Sequence, residues 1–223
     1  MSIINFKDGC LNYVSQGAEK IPITLQRMYG QKAFSLDISY NSLRSLTGLS
    51  EFLNLEVLVL DNNQLGDDIE FPPLPTLHTL SINNNQLTDL QSFLVKVKEN
   101  LTTLRHLSLL GNPACPSPVS HNDKDDDDYQ RYRHYTLYHM PNLSFLDSRL
   151  VNKDERSEGI IRGRYMNIAH PQPDQGMVSP QLKRKYTPLP KSTLTSKGTY
   201  GKWTKKYSGK NSEGNKFIKN NQL

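Results

Sequence analysis

Leu36-Asp37-Ile38-Ser39-Tyr40-Asn41-Ser42-Leu43, Leu58-Val59-Leu60-Asp61-Asn62-Asn63-Gln64-Leu65 and Leu80-Ser81-Ile82-Asn83-Asn84-Asn85-Gln86-Leu87 align without a gap. Each copy reads apolar, any, apolar, any, any, Asn, any, Leu. The step from Leu36 to Leu58 is 22 residues, and the step from Leu58 to Leu80 is 22 again. Equal periods of this length mark a solenoid, in which each coil is one supersecondary unit and only its neighbours can cover its apolar side chains. A fourth copy, Leu104-Arg105-His106-Leu107-Ser108-Leu109-Leu110-Gly111-Asn112, follows after 27 residues. Its five extra residues fall in Phe93 to Asn100, where a helical turn or two would absorb them. Upstream, Leu11-Asn12-Tyr13-Val14-Ser15-Gln16-Gly17-Ala18 reads as a decayed copy with Gln16 in the Asn slot, closed by Ile21-Pro22 and serving as an N-terminal cap.

The residue choice has a physical cause. An apolar pair at alternate positions sits on a short strand with both side chains inward, and strands of successive coils pair in parallel. Stacking removes those Leu and Ile side chains from water at roughly 1.5–3 kcal/mol each. Asn41, Asn63, Asn85 and Asn112 are expected to turn inward and bond the backbone of adjacent coils as a structural ladder. Losing such a partner costs about 1–3 kcal/mol per buried group.

Past the fourth copy come Pro113-Ala114-Cys115-Pro116, the acidic stretch Asp123-Lys124-Asp125-Asp126-Asp127-Asp128, and Tyr129-Gln130-Arg131-Tyr132-Arg133-His134-Tyr135-Thr136-Leu137-Tyr138. The last of these has an amphipathic, helical pattern. It leads into Met140-Pro141-Asn142-Leu143-Ser144-Phe145-Leu146, which repeats the spacing of Leu74-Pro75-Thr76-Leu77-His78-Thr79-Leu80 and predicts a terminal strand; Lys153 to Arg164 predicts a last helix. A tyrosine-rich helix followed by a strand resembles the C-terminal cap of intracellular repeat proteins of the 22-residue class, such as the A-prime subunit of the U2 spliceosomal particle. The fold predicted is therefore an α/β solenoid, a leucine-rich-repeat horseshoe with a parallel concave sheet and N- and C-terminal caps, followed by a disordered C-terminal tail.

Charge places the division. Residues 1–169 hold 16 Lys+Arg against 20 Asp+Glu, a net of −4, and residues 170–223 hold 11 against 2, a net of +9. The expected organisation is a capped repeat domain at 1–169 and a basic, largely disordered tail at 170–223, since low hydrophobicity with high net charge keeps a chain from packing. No signal sequence or window of 18 apolar residues is present, which predicts a cytoplasmic protein without direct membrane insertion. Cys10 and Cys115, about a hundred positions apart, are too few for disulfide staples.

Chemistry finds no seat. There is no phosphate-cradling Gly-Lys-Ser/Thr loop, nucleophile elbow or paired-His zinc helix, so the sequence predicts no enzyme, no cofactor and no metal. Asp123, Asp125 and Asp127 alternate as in a calcium loop, but Asp128 stands where Gly is needed and His134 where Glu is needed. His134 and His139, five apart, do not share a helical face. Asn100-Leu101-Thr102 and Asn142-Leu143-Ser144 match the glycosylation triplet but lack the secretory route it requires.

What remains is surface. The repeat phase projects Ser35, Asp37, Tyr40, Val57, Val59, Asp61, Ser81, Asn83, His106, Ser108 and Leu110 from the concave sheet, the face such solenoids turn to partners. Tyr40, Val57, Val59 and Leu110 are apolar where solvent alone would favour polar residues, which points to a protein contact. In the tail, Trp203, Tyr207, Phe217, Ile218 and Leu223 place large apolar groups in a polar, cationic context and predict a short linear motif.

Leu60-Asp61-Asn62-Asn63-Gln64-Leu65-Gly66-Asp67-Asp68, Tyr186-Thr187-Pro188-Leu189-Pro190 and Gly209-Lys210-Asn211-Ser212-Glu213-Gly214-Asn215-Lys216-Phe217-Ile218 together resemble the leucine-rich-repeat proteins associated with melanocyte differentiation. That resemblance implies an adaptor of endosome and melanosome traffic, peripheral on those membranes and needed for pigmentation, that joins Rab-type GTPases to the Retriever recycling assembly. Phe217 to Leu223 is similar to tails whose free C-terminal Leu is captured by Retriever, although those tails are acidic and Lys219-Asn220-Asn221-Gln222 is not. The cap and the basic tail leave an alternative open, a nuclear, RNA-processing-associated subunit whose tail would meet nucleic acid.

Overall fold

In the computed structural model the residues described are 4–116 and 126–166. All lie in the first of the two units into which the chain divides, Met1–Pro171 and Gln172–Leu223.

The strands are β1 (Asn5–Lys7), β2 (Cys10–Asn12), β3 (Ser35–Asp37), β4 (Val57–Val59), β5 (Thr79–Ser81), β6 (His106–Ser108), β7 (Phe145–Leu146) and β8 (Arg149–Leu150), and they form one sheet in chain order. From β2 to β7 every pair is parallel, and the repeat leucines stand in register as Leu11, Leu36, Leu58, Leu80, Leu107 and Leu146. All six are buried, as are Ile38, Leu60, Ile82 and Leu109 two residues on, because alternate side chains of a strand share a face. The segments returning behind the sheet supply Leu25, Leu49, Phe52, Leu77, Phe93 and Leu94 to the same core.

Between β5 and β6 the five extra residues lengthen the return into helix α2 (Leu90–Asn100), started by the Asp89 carboxylate accepting from the Ser92 N–H at 3.0 Å. A shorter helix, α1 (Ile23–Tyr29), fills the first return, which the sequence pattern did not single out. The four ladder asparagines are buried. Each holds a polar atom of the next or previous coil; Asn63, for example, donates to Ile38 O and Leu60 O at 3.0 Å and accepts from Leu43 N–H at 3.0 Å. The residue just before each Asn slot has a left-handed backbone: Ser15 (φ 57°), Tyr40 (55°), Asn62 (56°), Asn84 (51°) and Gly111 (76°).

Both ends of the sheet reverse direction. β1 pairs with β2 antiparallel through the two-residue turn Asp8-Gly9, with φ of 48° and 74°. Such a turn matches strand twist and favours Asp-Gly. At the far end β8 pairs antiparallel with β7. There helices α3 (Asp126–His139) and α4 (Lys153–Arg162) close the core. α3 buries Tyr129, Tyr132, Tyr135 and Leu137. Arg133, 2% exposed, clasps the Glu155 carboxylate with Nε and Nη2 and donates from Nη1 to Leu146 O at 2.8 Å, so one guanidinium ties α3 to α4 and to β7. Gly159 and Gly163 let α4 lie close on α3: a Cβ on Gly163 would stand 2.5 Å from His134 O.

Candidate protein-binding face

With Leu36, Leu58, Leu80 and Leu107 turned in, the residues on either side of each leucine form the open face. Two rows cross the strands. Val57, Thr79, His106 and Phe145 are neighbours in register, and Phe145 pairs with Leu150 across the terminal hairpin. The His106 ring stacks on Phe145 with centroids 4.9 Å apart and planes at 18°. His78 meets His106 edge-on at 6.4 Å and approaches Glu56 at 3.7 Å. Phe145 and Leu150 are exposed.

The other row runs Asp37, Val59, Ser81 and Ser108, and apart from Val59 it is polar and joined by hydrogen bonds to Asp61 and Asn83 just beyond the strands or to the local backbone. Asp61 accepts from Ser81 Oγ at 2.7 Å, from Asn83 N–H at 2.8 Å and from Asn83 Nδ2 at 3.2 Å. Ser108 Oγ then donates to Asn83 Oδ1 at 2.7 Å. Asp37 accepts from Ser39 N–H at 2.9 Å. These bonds fix the polar side chains in place, so less side-chain freedom is lost when a partner covers them.

The residues singled out in the sequence fall on this surface in different ways. Val57 and Val59 are half-buried on β4 with Asp37, Ser81, His106 and their neighbours. Tyr40 is not on a strand: β3 ends at Asp37, and Tyr40 stands at the left-handed turn on the rim, 61% exposed. Leu110 is half-buried, packed in part against the core. Trp203, Tyr207, Phe217, Ile218 and Leu223 lie outside the described residues. Sequence reading passed over Phe145, Leu150, His78 and Glu56. The first was accessible from alignment, since Ser144-Phe145-Leu146 occupies the slots of Arg105-His106-Leu107.

The most perturbed ionisable groups lie in the cap. Burial holds the Asp147 carboxyl above its ordinary range, although Leu109 N–H at 2.9 Å and the Tyr129 hydroxyl at 3.0 Å both donate to it. Burial and the Asp147 charge in turn push the Tyr129 hydroxyl up. Each of these groups is spent on joining α3 to the sheet. A groove of about 610 Å³, lined by residues including Arg44, Thr47, Asp68 and Phe71, is open to solvent, and its lining contains no histidine or cysteine. Among the described residues no three His, Cys, Asp or Glu side chains converge as a metal site, and no helix is long and apolar enough to cross a membrane.

The leucine-rich-repeat model matches residues 18–165. The chain belongs to the leucine-rich-repeat family. Within that family it is 48% identical over 197 residues to the human leucine-rich melanocyte differentiation-associated protein, covering 86% of this chain and 100% of that one. It is also 31% identical over 127 residues to the human U2 small nuclear ribonucleoprotein A', covering 56% of this chain and 44% of that one. Among solved structures, the leucine-rich-repeat fold matches the Drosophila melanogaster SNF/U2A' complex with a TM-score of 0.53 and 23% identity, over 74% of this chain and 91% of that chain.

Proposed function

We propose that the chain is a non-enzymatic adaptor of endosome and melanosome traffic, which captures a protein partner on the concave face and joins Rab-type GTPases to the Retriever assembly. Support for a role in pigment cells comes from 48% identity to a relative named for melanocyte differentiation over that relative's full length. The observation that carries the binding reading is the apolar pair Val57 and Val59, left open on the face beside the exposed Tyr40. In this reading residues 1–169 are the folded scaffold, residues 170–223 are a tail with a motif at Phe217, Ile218 and Leu223, and the protein is cytoplasmic, peripheral on endosomes or melanosomes.

The test is proximity labelling in pigment cells with the parent chain and with Val57→Lys/Val59→Lys. Rab GTPases and Retriever subunits should be labelled by the parent. The paired substitution should abolish capture while leaving the melting temperature close to the parent's, because both side chains are half-buried at the surface and not in the core. Labelling that survives the substitution would remove the face from the reading. Labelling of splicing proteins in place of traffic proteins would favour the second reading, a nuclear subunit related to the U2 A' protein, supported by 31% identity over 127 residues.

A further inference from the structure

Helix α4 has its apolar side chains on the wrong side for a helix that only closes a core. A surface helix ordinarily turns its large apolar groups inward and leaves small or polar ones in water. In α4 the one buried residue is Gly159, and the Cβ positions of Gly159 and Gly163 face Leu137 Cβ, His134 O and Tyr138 Cβ on α3. Ile160 and Ile161 stand outside, 53% and 69% exposed. Ile161 is two residues from either glycine, which at about 3.6 residues per turn puts it nearly opposite them on the helix. A single tight turn, Gly163–Tyr165, continues α4 and leaves Tyr165 82% exposed. Tyr165 and Ile161 are the most exposed large hydrophobic residues among those described.

The charges of this segment are sorted along the chain. Asp154, Glu155 and Glu158 all precede Gly159; Glu155 is clasped by Arg133, and Glu158 pairs with Arg162 at 3.2 Å. From Gly159 to Pro173 the sequence holds no Asp or Glu, and Arg162 and Arg164 stand among the isoleucines and Tyr165. Residues 170–223, next in sequence, have a net charge of +9. Aliphatic groups, a tyrosine and arginines on one exposed helical face suit the boundary between lipid headgroups and acyl chains. There the isoleucines leave water, the tyrosine keeps its hydroxyl wet, and the arginine stems lie along apolar surface while their heads reach phosphate. A protein groove would cover the isoleucines as well, but a run of cations without an intervening acid favours an anionic bilayer.

We propose that the outer face of α4 and the turn after it, Ile160, Ile161, Arg162, Arg164 and Tyr165, is a membrane contact that seats the protein on anionic lipid. The seat is shallow. Side chains enter the headgroup boundary, while Gly159 and Gly163 hold the helix against α3 and the Arg133 clasp on Glu155 fixes its first turn. A helix already ordered in this way loses little freedom on adsorbing. The inference rests on the peripheral-membrane part of the proposed function and adds the surface and the lipid charge; it does not depend on the concave face.

The test floats the full-length chain with phosphatidylcholine vesicles, and with vesicles in which phosphatidylserine replaces part of the phosphatidylcholine. The parent should bind the anionic vesicles, less so as salt rises. Ile160→Ser/Ile161→Ser and Tyr165→Ser should each bind at least about tenfold more weakly. Both should melt close to the parent, because these side chains are mostly in solvent. Hydrogen exchange on the anionic vesicles should slow in Gly159 to Met166 and stay unchanged in α1. Undiminished binding by Ile160→Ser/Ile161→Ser would leave the basic tail as the tether and overturn the inference. Equal binding to both kinds of vesicle would overturn the anionic preference. A parent that ignores the anionic vesicles would overturn the seat, and a labelled protein lost in Ile160→Ser/Ile161→Ser would then assign the face to that protein. If vesicle binding fails while proximity labelling still returns Rab GTPases and Retriever subunits, only this inference falls; if both fail, both readings fall.

Discussion

Replacing Asn63 with alanine separates what the ladder asparagine does from what its neighbours already cover. Asn63 is 7% exposed and makes four backbone contacts: to Ile38 O and Leu60 O at 3.0 Å, to Asp61 O at 3.3 Å, and from Leu43 N–H at 3.0 Å. The three carbonyls keep other donors after the change, because Asn41 Nδ2 reaches Ile38 O at 3.1 Å, Asn85 Nδ2 reaches Leu60 O at 3.0 Å and Tyr40 N–H reaches Asp61 O at 2.9 Å. Leu43 N–H gives its bond to Asn63 Oδ1, and Leu43 is fully buried. One orphaned buried donor costs about 1–3 kcal/mol, and the shared carbonyl bonds add a fraction each, so Asn63→Ala should lose about 2–3 kcal/mol. For a domain of this size that is a fall of roughly 4–12 °C in Tm. Urea unfolding followed by far-UV circular dichroism is the assay. Asn63→Ala/Asn85→Ala removes both amide donors to Leu60 O at once, and it should cost more than the sum of the singles by about 1 kcal/mol. A loss under about 0.5 kcal/mol for the single change, or strict additivity for the pair, would refute the shared-carbonyl account.

Two changes in the cap test the closeness of its packing and the state of its buried acid. Gly163 caps the C-terminal end of α4 with helical φ and ψ, so the backbone itself tolerates Gly163→Ala. Its new Cβ, however, would stand 2.5 Å from His134 O and 2.6 Å from Tyr138 Cβ, so hydrogen exchange should show α4 losing protection, and a gain would contradict the packing. For Asp147, the folded pKa lies above the unfolded one because of burial. Its contribution to stability is therefore complete below the unfolded value of about 3.9 and declines as pH rises through the folded value. Asp147→Asn should melt at or above the parent at neutral pH, with the advantage shrinking as pH falls towards about 4; an advantage that grows on acidification would reverse the sign of the argument.

The parts of this structure written most plainly in the sequence are those repeated. Leu36, Leu58, Leu80 and Leu107 recur with an apolar residue two positions on and an Asn five positions on, and the observed ladder pairs those leucines directly. Helix α2 was legible because its insertion broke a known period, and α3 because its tyrosines recur with helical spacing. The end hairpins were harder to see. β1 has three residues and β8 has two, too short for any alternation to show, although Asp8-Gly9 is a turn signal in its own right. α1, with seven residues and one buried side chain, carries no helical stripe to recognise. On the candidate face, phase alone identified the strand residues, but it could not place Tyr40, because β3 ends at Asp37 and the left-handed turn falls at Tyr40 itself. Phe145 and Leu150 belong to the face through a reversal of direction, and a parallel repeat gives no notice of one.

That reversal bears on how many copies of this chain can be joined. A stack of parallel coils has a top and a bottom that match, so nothing in the coil itself stops one molecule from continuing the stack of the next. Head-to-tail contacts that do not close make filaments. Here the outermost strands run the wrong way for continuation: a second molecule arriving at β8 would meet an antiparallel edge of two residues carrying Arg149, and one arriving at β1 would meet three residues ending in Lys7. Short, charged edges of this kind discourage further pairing. The interior is free of that restriction. A duplicated 22-residue coil could enter between β4 and β5 with Leu over Leu and Asn beside Asn, and both terminal hairpins would remain as they are. The arrangement allows the sheet to grow in evolution by lengthening its middle while both terminal hairpins are kept.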